Sequence, residues 1–145
     1  MKTFLQQLWL AIRIWLLAVA VNTLLGTIFL AGIKWADAES LLFFGTYYGA
    51  IFSLPVMLAM LIIINRYAAA DKTGLIILRA VYRTGLTLTI VVFITFCIMM
   101  GMREAIICLV LQCIALLSGV LGITAFNRSI MKWGVVRTNV QKVLP

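Results

Sequence analysis

Long apolar runs, broken only by glycine, hydroxyl and amide positions, alternate along the chain with short clusters of charge. Stretches without Asp, Glu, Lys or Arg cover residues 14–33, 40–65, 84–102 and 105–127, or 20, 26, 19 and 23 residues. An α-helix rises about 1.5 Å per residue, so about 20 residues cross a hydrocarbon core about 30 Å thick. Each stretch therefore predicts a transmembrane helix, with spans near 8–33, 41–65, 84–102 and 105–127. The first starts ahead of its charge-free window because FLQQLWLAIR at 4–13 is already largely apolar. Arg103 and Glu104 leave room only for a tight turn, which forces the last two spans into a hairpin. A basic loop at 66–83, whose second half continues helically into span three, and a basic tail at 128–145 complete the chain. The expected fold is an all-α integral membrane protein: one four-helix domain over 1–145, its helices paired as two antiparallel hairpins.

The charges decide orientation. With the N-terminus inside, the inner side carries Lys2, Arg13, Arg66, Lys72, Arg79, Arg83, Arg128, Lys132, Arg137 and Lys142, and the outer side only Lys34 and Arg103. Lys and Arg in short loops are retained on the cytoplasmic side, so this asymmetry predicts both termini inside. Short loops and this bias fit a bacterial cytoplasmic (inner) membrane. The net charge of +8 is thus read as a topology signal with a secondary affinity for anionic lipid headgroups. Nucleic acid is not expected as a partner. Ala36, Asp37 and Ala38 resemble a signal-peptidase site, but the preceding apolar run exceeds the about 7–15 residues of a signal sequence, and Lys34 and Trp35 intervene. An uncleaved anchor is expected.

Composition narrows the function. Of 145 residues, 65% are hydrophobic and 11% charged, too little polar surface for a water-soluble domain. There is no histidine, and none of the four acids lies within a span, so histidine bases, haem or zinc ligation and carboxylate proton coupling have no residues to run on. Cys97, Cys108 and Cys113 lie within spans at no metal or redox spacing and are read as apolar fillers. The methionines near the end of span three, Met99, Met100 and Met102, are read as packing material. Neither enzyme activity, a metal nor a cofactor is expected.

Small residues at intervals of four predict helix-packing faces: Ala18, Asn22 and Gly26 in span one; Gly45, Gly49 and Ser53 in span two; Ala115, Ser118, Gly119 and Gly122 in span four. Such a face lets a second backbone approach without saying which chain supplies it. Pro55 removes one helical hydrogen bond and is expected to kink span two. Gln112, the strongly polar side chain deep in span four, is expected to satisfy itself through an interhelical hydrogen bond. Arg13 is expected to snorkel to the headgroups. Arg66, Lys72, Arg79, Arg83, Arg128 and Lys132 are candidates for contact with phosphate, lipid headgroups or a partner.

Small multidrug exporters share this size and span count, but the membrane-embedded glutamate of their first span has no counterpart here. The run VNTLLG at 21–26 and the Asn-Arg ends of spans two and four, at 65–66 and 127–128, are similar to four-span proteins proposed to move polyprenyl-linked sugars. That similarity covers a handful of residues and assigns no family. The leading expectation is a non-enzymatic helix-packing subunit, assembling with identical or different membrane chains. The alternatives are a flippase or carrier of lipid-linked, phosphate-bearing substrates, and an oligomeric pore or stress effector controlled by a cytoplasmic partner.

Overall fold

The computed structural model describes residues 2–32, 37–99, 101 and 105–134. The expected linker around Lys34, the Arg103–Glu104 turn, and Arg137 and Lys142 lie outside them. Regular structure among the described residues is helical throughout: α1 (Lys2–Gly32), α2 (Ala38–Ala69), α3 (Gly74–Met99), α4 (Ala105–Ala125) and a short α5 (Asn127–Met131). The first four are long and apolar enough to cross a membrane, and the chain is a multi-pass membrane protein of all-α class. Span three, LTLTIVVFITF at 86–96, is rich in β-branched residues that would favour strands in water. In lipid every backbone polar group needs an internal partner, and a helix supplies one for each residue.

The helices extend beyond the charge-free windows. Of the segment 66–83 only 70–73 is a turn: Arg79 and Arg83 belong to α3, in line with a helical second half, while Arg66 still belongs to α2. Charge marks where the hydrocarbon ends, and Arg and Lys are themselves good helix formers. What ends α2 is Asp71, whose left-handed backbone (φ 50°) turns the chain while the amide of Lys72 returns to the Tyr67 carbonyl. Pro55 leaves α2 continuous from Ala38 to Ala69.

Helix α1 packs against α2 and α4, α3 packs against the same two, and α5 lies on α3. Their shared core gathers at one end. Leu10 and Ile14 of α1, Met60 and Ile64 of α2, Ile77 and Val81 of α3, Ile123 of α4 and Ile130 of α5 form one buried cluster. A neighbouring cluster joins Ala11 to Met57 and Leu61. Arg13, Arg66, Lys72, Arg79, Arg83, Arg128 and Lys132 are exposed around this same end, hereafter the basic end.

The start of the basic tail closes that end. After a turn at Phe126, α5 and Trp133 fold back on the beginning of α3, where Gly74 meets the backbone of Met131 and Gly134. A Cβ on Gly74 would stand 2.9 Å from Met131 Cα, inside any real contact, so this backbone approach needs glycine.

Six hydroxyls inside the spans are satisfied locally. Thr46, Thr87, Thr89, Thr95, Thr124 and Ser118 each donate to the carbonyl four residues earlier, at 2.7–2.9 Å. None of these hydroxyls needs a partner helix to be satisfied.

Candidate functional site

From the buried cluster the helices part, leaving a cleft of about 840 Å³ between α1, α2, α3 and α4. Ile14, Met60, Gly85 and Ile123 form its floor, and it runs up α1 as far as Leu30, about 24 Å of helix at 1.5 Å per residue. Phe44, Tyr48 and Phe52 of α2 face Phe93 and Phe96 of α3 across it. Phe52 and Phe96 meet edge to face, ring centroids 5.1 Å apart. The volume falls within the range of pockets that enclose small ligands, about 300–1,000 Å³.

A stripe of neutral polar groups crosses this apolar lining. On α1, Asn22, Thr23 and Thr27 line the cleft, as do Ser53 of α2, Thr89 of α3 and Ser118 of α4. Ser53 is committed: its oxygen accepts from the Trp15 indole N–H at 2.7 Å, and its own proton goes to the Gly49 carbonyl. Thr23 is uncommitted, only 7% exposed and with Oγ1 buried and unpartnered. Among the described residues no Asp, Glu, Lys or Arg lines the cleft. It can hold hydrocarbon and offer a hydroxyl or amide to a neutral polar atom, and it has nothing with which to neutralise a charge.

The predicted packing faces combine two uses, helix contact and cleft lining. Gly45 and Gly49 face α1, where an added Cβ would stand 3.4 Å from Thr23 Cγ2 at Gly45 and 3.9 Å from Thr23 Oγ1 at Gly49. A Cβ on Gly122 would meet Ala18 Cβ at 3.2 Å and the Ile14 carbonyl at 3.0 Å, so α1 and α4 touch there almost backbone to backbone. Gly26 faces Leu111. Ala18, Gly26, Gly45 and Gly49 also border the cleft, as do Ala115 and Gly119, and a Cβ on Gly119 would meet nothing within 4 Å.

Other expectations come out differently. The Gln112 amide finds no interhelical bond; its oxygen and nitrogen are both buried without a partner. Cys97 lies near Cys108 of the adjacent helix, and both are free. Of the six basic candidates, Lys132 lines a recess, and its companion there is Arg13. None of Arg66, Lys72, Arg79, Arg83 and Arg128 reaches the cleft.

The positions that sequence reasoning missed are mostly glycines. Gly74 and Gly134 allow α5 to dock. Gly85 is buried, and a Cβ there would stand 3.4 Å from Ile123 Cδ1 and 3.9 Å from Met60 Sδ. Gly85 lies outside any i, i+4 series of small residues, and Gly74 and Gly134 lie outside the charge-free windows, so neither pattern flags them. Among the described residues no group of His, Cys, Asp or Glu is placed to hold a metal ion. No family model, curated protein or solved structure matches the chain.

Proposed function

We propose that this chain is a non-enzymatic lipid-binding membrane protein whose cleft holds the hydrocarbon part of a lipid or lipid-linked molecule. The observation that carries this reading is the cleft itself: about 840 Å³ of apolar space with neutral polar groups and, among the described residues, no charge. Of the readings open from sequence, the carrier of lipid-linked substrates gains most, with one change. The arginines lie beyond the closed floor, so a phosphate-bearing headgroup would remain at the mouth while the chain of the ligand enters. The assembly-subunit reading draws less on Gly45, Ala18 and Gly122, which make close contacts within the chain.

The topology belongs to the same proposal: two antiparallel hairpins with both termini on the cytoplasmic side of a bacterial inner membrane. Contacts between neighbouring helices support the pairing, because they run in opposite order along the two members. Trp15 meets Ser53 while Thr23 meets Gly45, and Tyr82 bonds Thr124 while Gly85 meets Ile123. The cleft then opens toward the outer leaflet.

The test is gentle extraction of the protein followed by native mass analysis and lipid mass spectrometry of what remains bound. A lipid retained at one per chain, and displaced by a competing long-chain lipid, is the expected result. A stoichiometric foreign membrane chain with no bound lipid would overturn the proposal in favour of a complex subunit. A lipid-free homo-oligomer that passes ions in liposomes would overturn it in favour of a pore.

A further inference from the structure

A second recess, of about 220 Å³, lies at the basic end between α1 and α5, separated from the cleft by the buried cluster. Leu10 and Phe126 form its apolar base, and Arg13, Lys132, Gln6 and Ser129 bring two cations, an amide and a hydroxyl to it. Trp9 and Trp133 wall it on two sides. The Arg13 guanidinium is held over the Trp9 ring, its carbon 4.9 Å from the centroid, which orients the planar fork instead of leaving it to sweep through solvent. We propose that this recess binds the phosphate of an anionic lipid headgroup. The site is independent of the cleft and of the function proposed for it.

Three features together carry the assignment. Two cations with no carboxylate among the lining residues select an anion, and an arginine fork beside an ammonium and a hydroxyl suits the several oxygens of a phosphate. Two indoles place the recess at the depth where lipid headgroups lie. Leu5 and Leu16, 57% and 52% exposed on the same helix one turn to either side of Trp9 and Arg13, are covered when the bound headgroup brings its own acyl chains. A soluble anion would leave them bare. The recess also joins α1 to the segment that closes the basic end, so an occupant fastens α5 in place.

Native mass spectrometry of the full chain, titrated with phosphatidylglycerol, phosphatidylcholine of the same acyl chains, or inorganic phosphate, tests this. Phosphatidylglycerol is expected to bind at one preferred site, phosphatidylcholine more weakly because its ammonium meets two cations, and excess inorganic phosphate not to displace the lipid. The R13Q/K132Q variant is expected to bind phosphatidylglycerol at least about tenfold more weakly than R79Q/R83Q, which removes equal charge from the same end, because oriented charge-assisted hydrogen bonds exceed general surface attraction. Equal losses in the two variants would overturn the proposal, as would displacement by inorganic phosphate. Should R13Q/K132Q not fold, R13K keeps the charge and loses the fork, and is expected to weaken binding; unchanged binding in R13K together with no quenching of tryptophan fluorescence by brominated phosphatidylglycerol in the natural chain would likewise overturn it.

Discussion

At the basic end Ile14, Ile64, Ile77 and Ile130 are each at most 1% exposed; further along the same bundle, Gly119 has open space where a Cβ would be and Ile98 and Ile106 are 74% and 79% exposed. The two ends are built from similarly apolar helices, so hydrophobicity does not distinguish them. In lipid, bringing apolar faces together gains no hydrophobic free energy, and helices stay in contact only where their shapes interlock or their polar groups bond. The basic end supplies that fit: isoleucine, leucine, valine and methionine side chains from five helices meet at one point, with Gly74 letting α5 in beneath them. At the other end aromatic rings of α2 and α3 face one another across the cleft, Ala115 and Gly119 of α4 border it, and the space between the helices is not filled. A cleft of this kind is stable because lipid, or the chain of a ligand, fills it at no cost relative to the surrounding bilayer.

The largest effect that would test this division is Gly74→Ala. The new methyl meets the backbone of Met131, which cannot rotate away as a side chain would, and a loss of about 3 kcal/mol is expected from overpacking of this kind. Thermal unfolding in mild detergent, with size-exclusion as a check on α5 docking, measures it. A neutral substitution would mean that α5 does not close the basic end.

A pair of truncations gives the next effect. Ile64→Ala removes a fully buried side chain from the closed end and is expected to cost about 2 kcal/mol, at the low end of the usual range because packing alone is lost in lipid. Phe96→Ala, at the cleft, gives up its edge-to-face contact with Phe52 and is expected to cost about 1 kcal/mol or less. Equal losses in the same unfolding assay would break the distinction between a packed and an open end.

Much of this architecture is legible in the sequence, and the part that is not has a physical cause. Charge-free windows predict four spans but stop short of one helix end, since Arg66 is still helical, whereas the helical second half of the 66–83 segment, with Arg79, is legible in the sequence. The GxxxG face at Gly45 and Gly49 is visible as a face, and its partner is not, because a one-dimensional pattern does not say which helix stands opposite. The cleft is illegible for a sharper reason. Gly119 and Gly122 carry the same small-residue signature, yet Gly122 touches α1 and Gly119 touches nothing, since a small residue is equally a place where two helices meet and a place where they fail to fill space. Gln112 reads as a bonded amide because burial normally demands a partner; here neither of its amide atoms has one. The recess at Arg13 joins residues more than a hundred positions apart, which no local spacing reveals.

The smallest effect on stability is the most informative about function, and it comes from Gly119, with Gly122 as its contrast. Gly122→Leu drives a side chain into Ala18 and the Ile14 carbonyl and is expected to loosen α1 from α4. Gly119→Leu, three residues away on the same helix, enters open space. Replacing glycine with leucine in a helix interior favours the helix by up to about 1 kcal/mol, so its unfolding temperature is expected to stay level or rise slightly. Its leucine nevertheless occupies the cleft, and retention of the copurifying lipid is expected to fall severalfold. A stable Gly119→Leu protein that retained its lipid in full would show that the ligand lies elsewhere and that the open end is merely loosely packed. A stable protein that lost it would separate the two ends by role: one maintains the fold, and the other holds what the fold was built to carry.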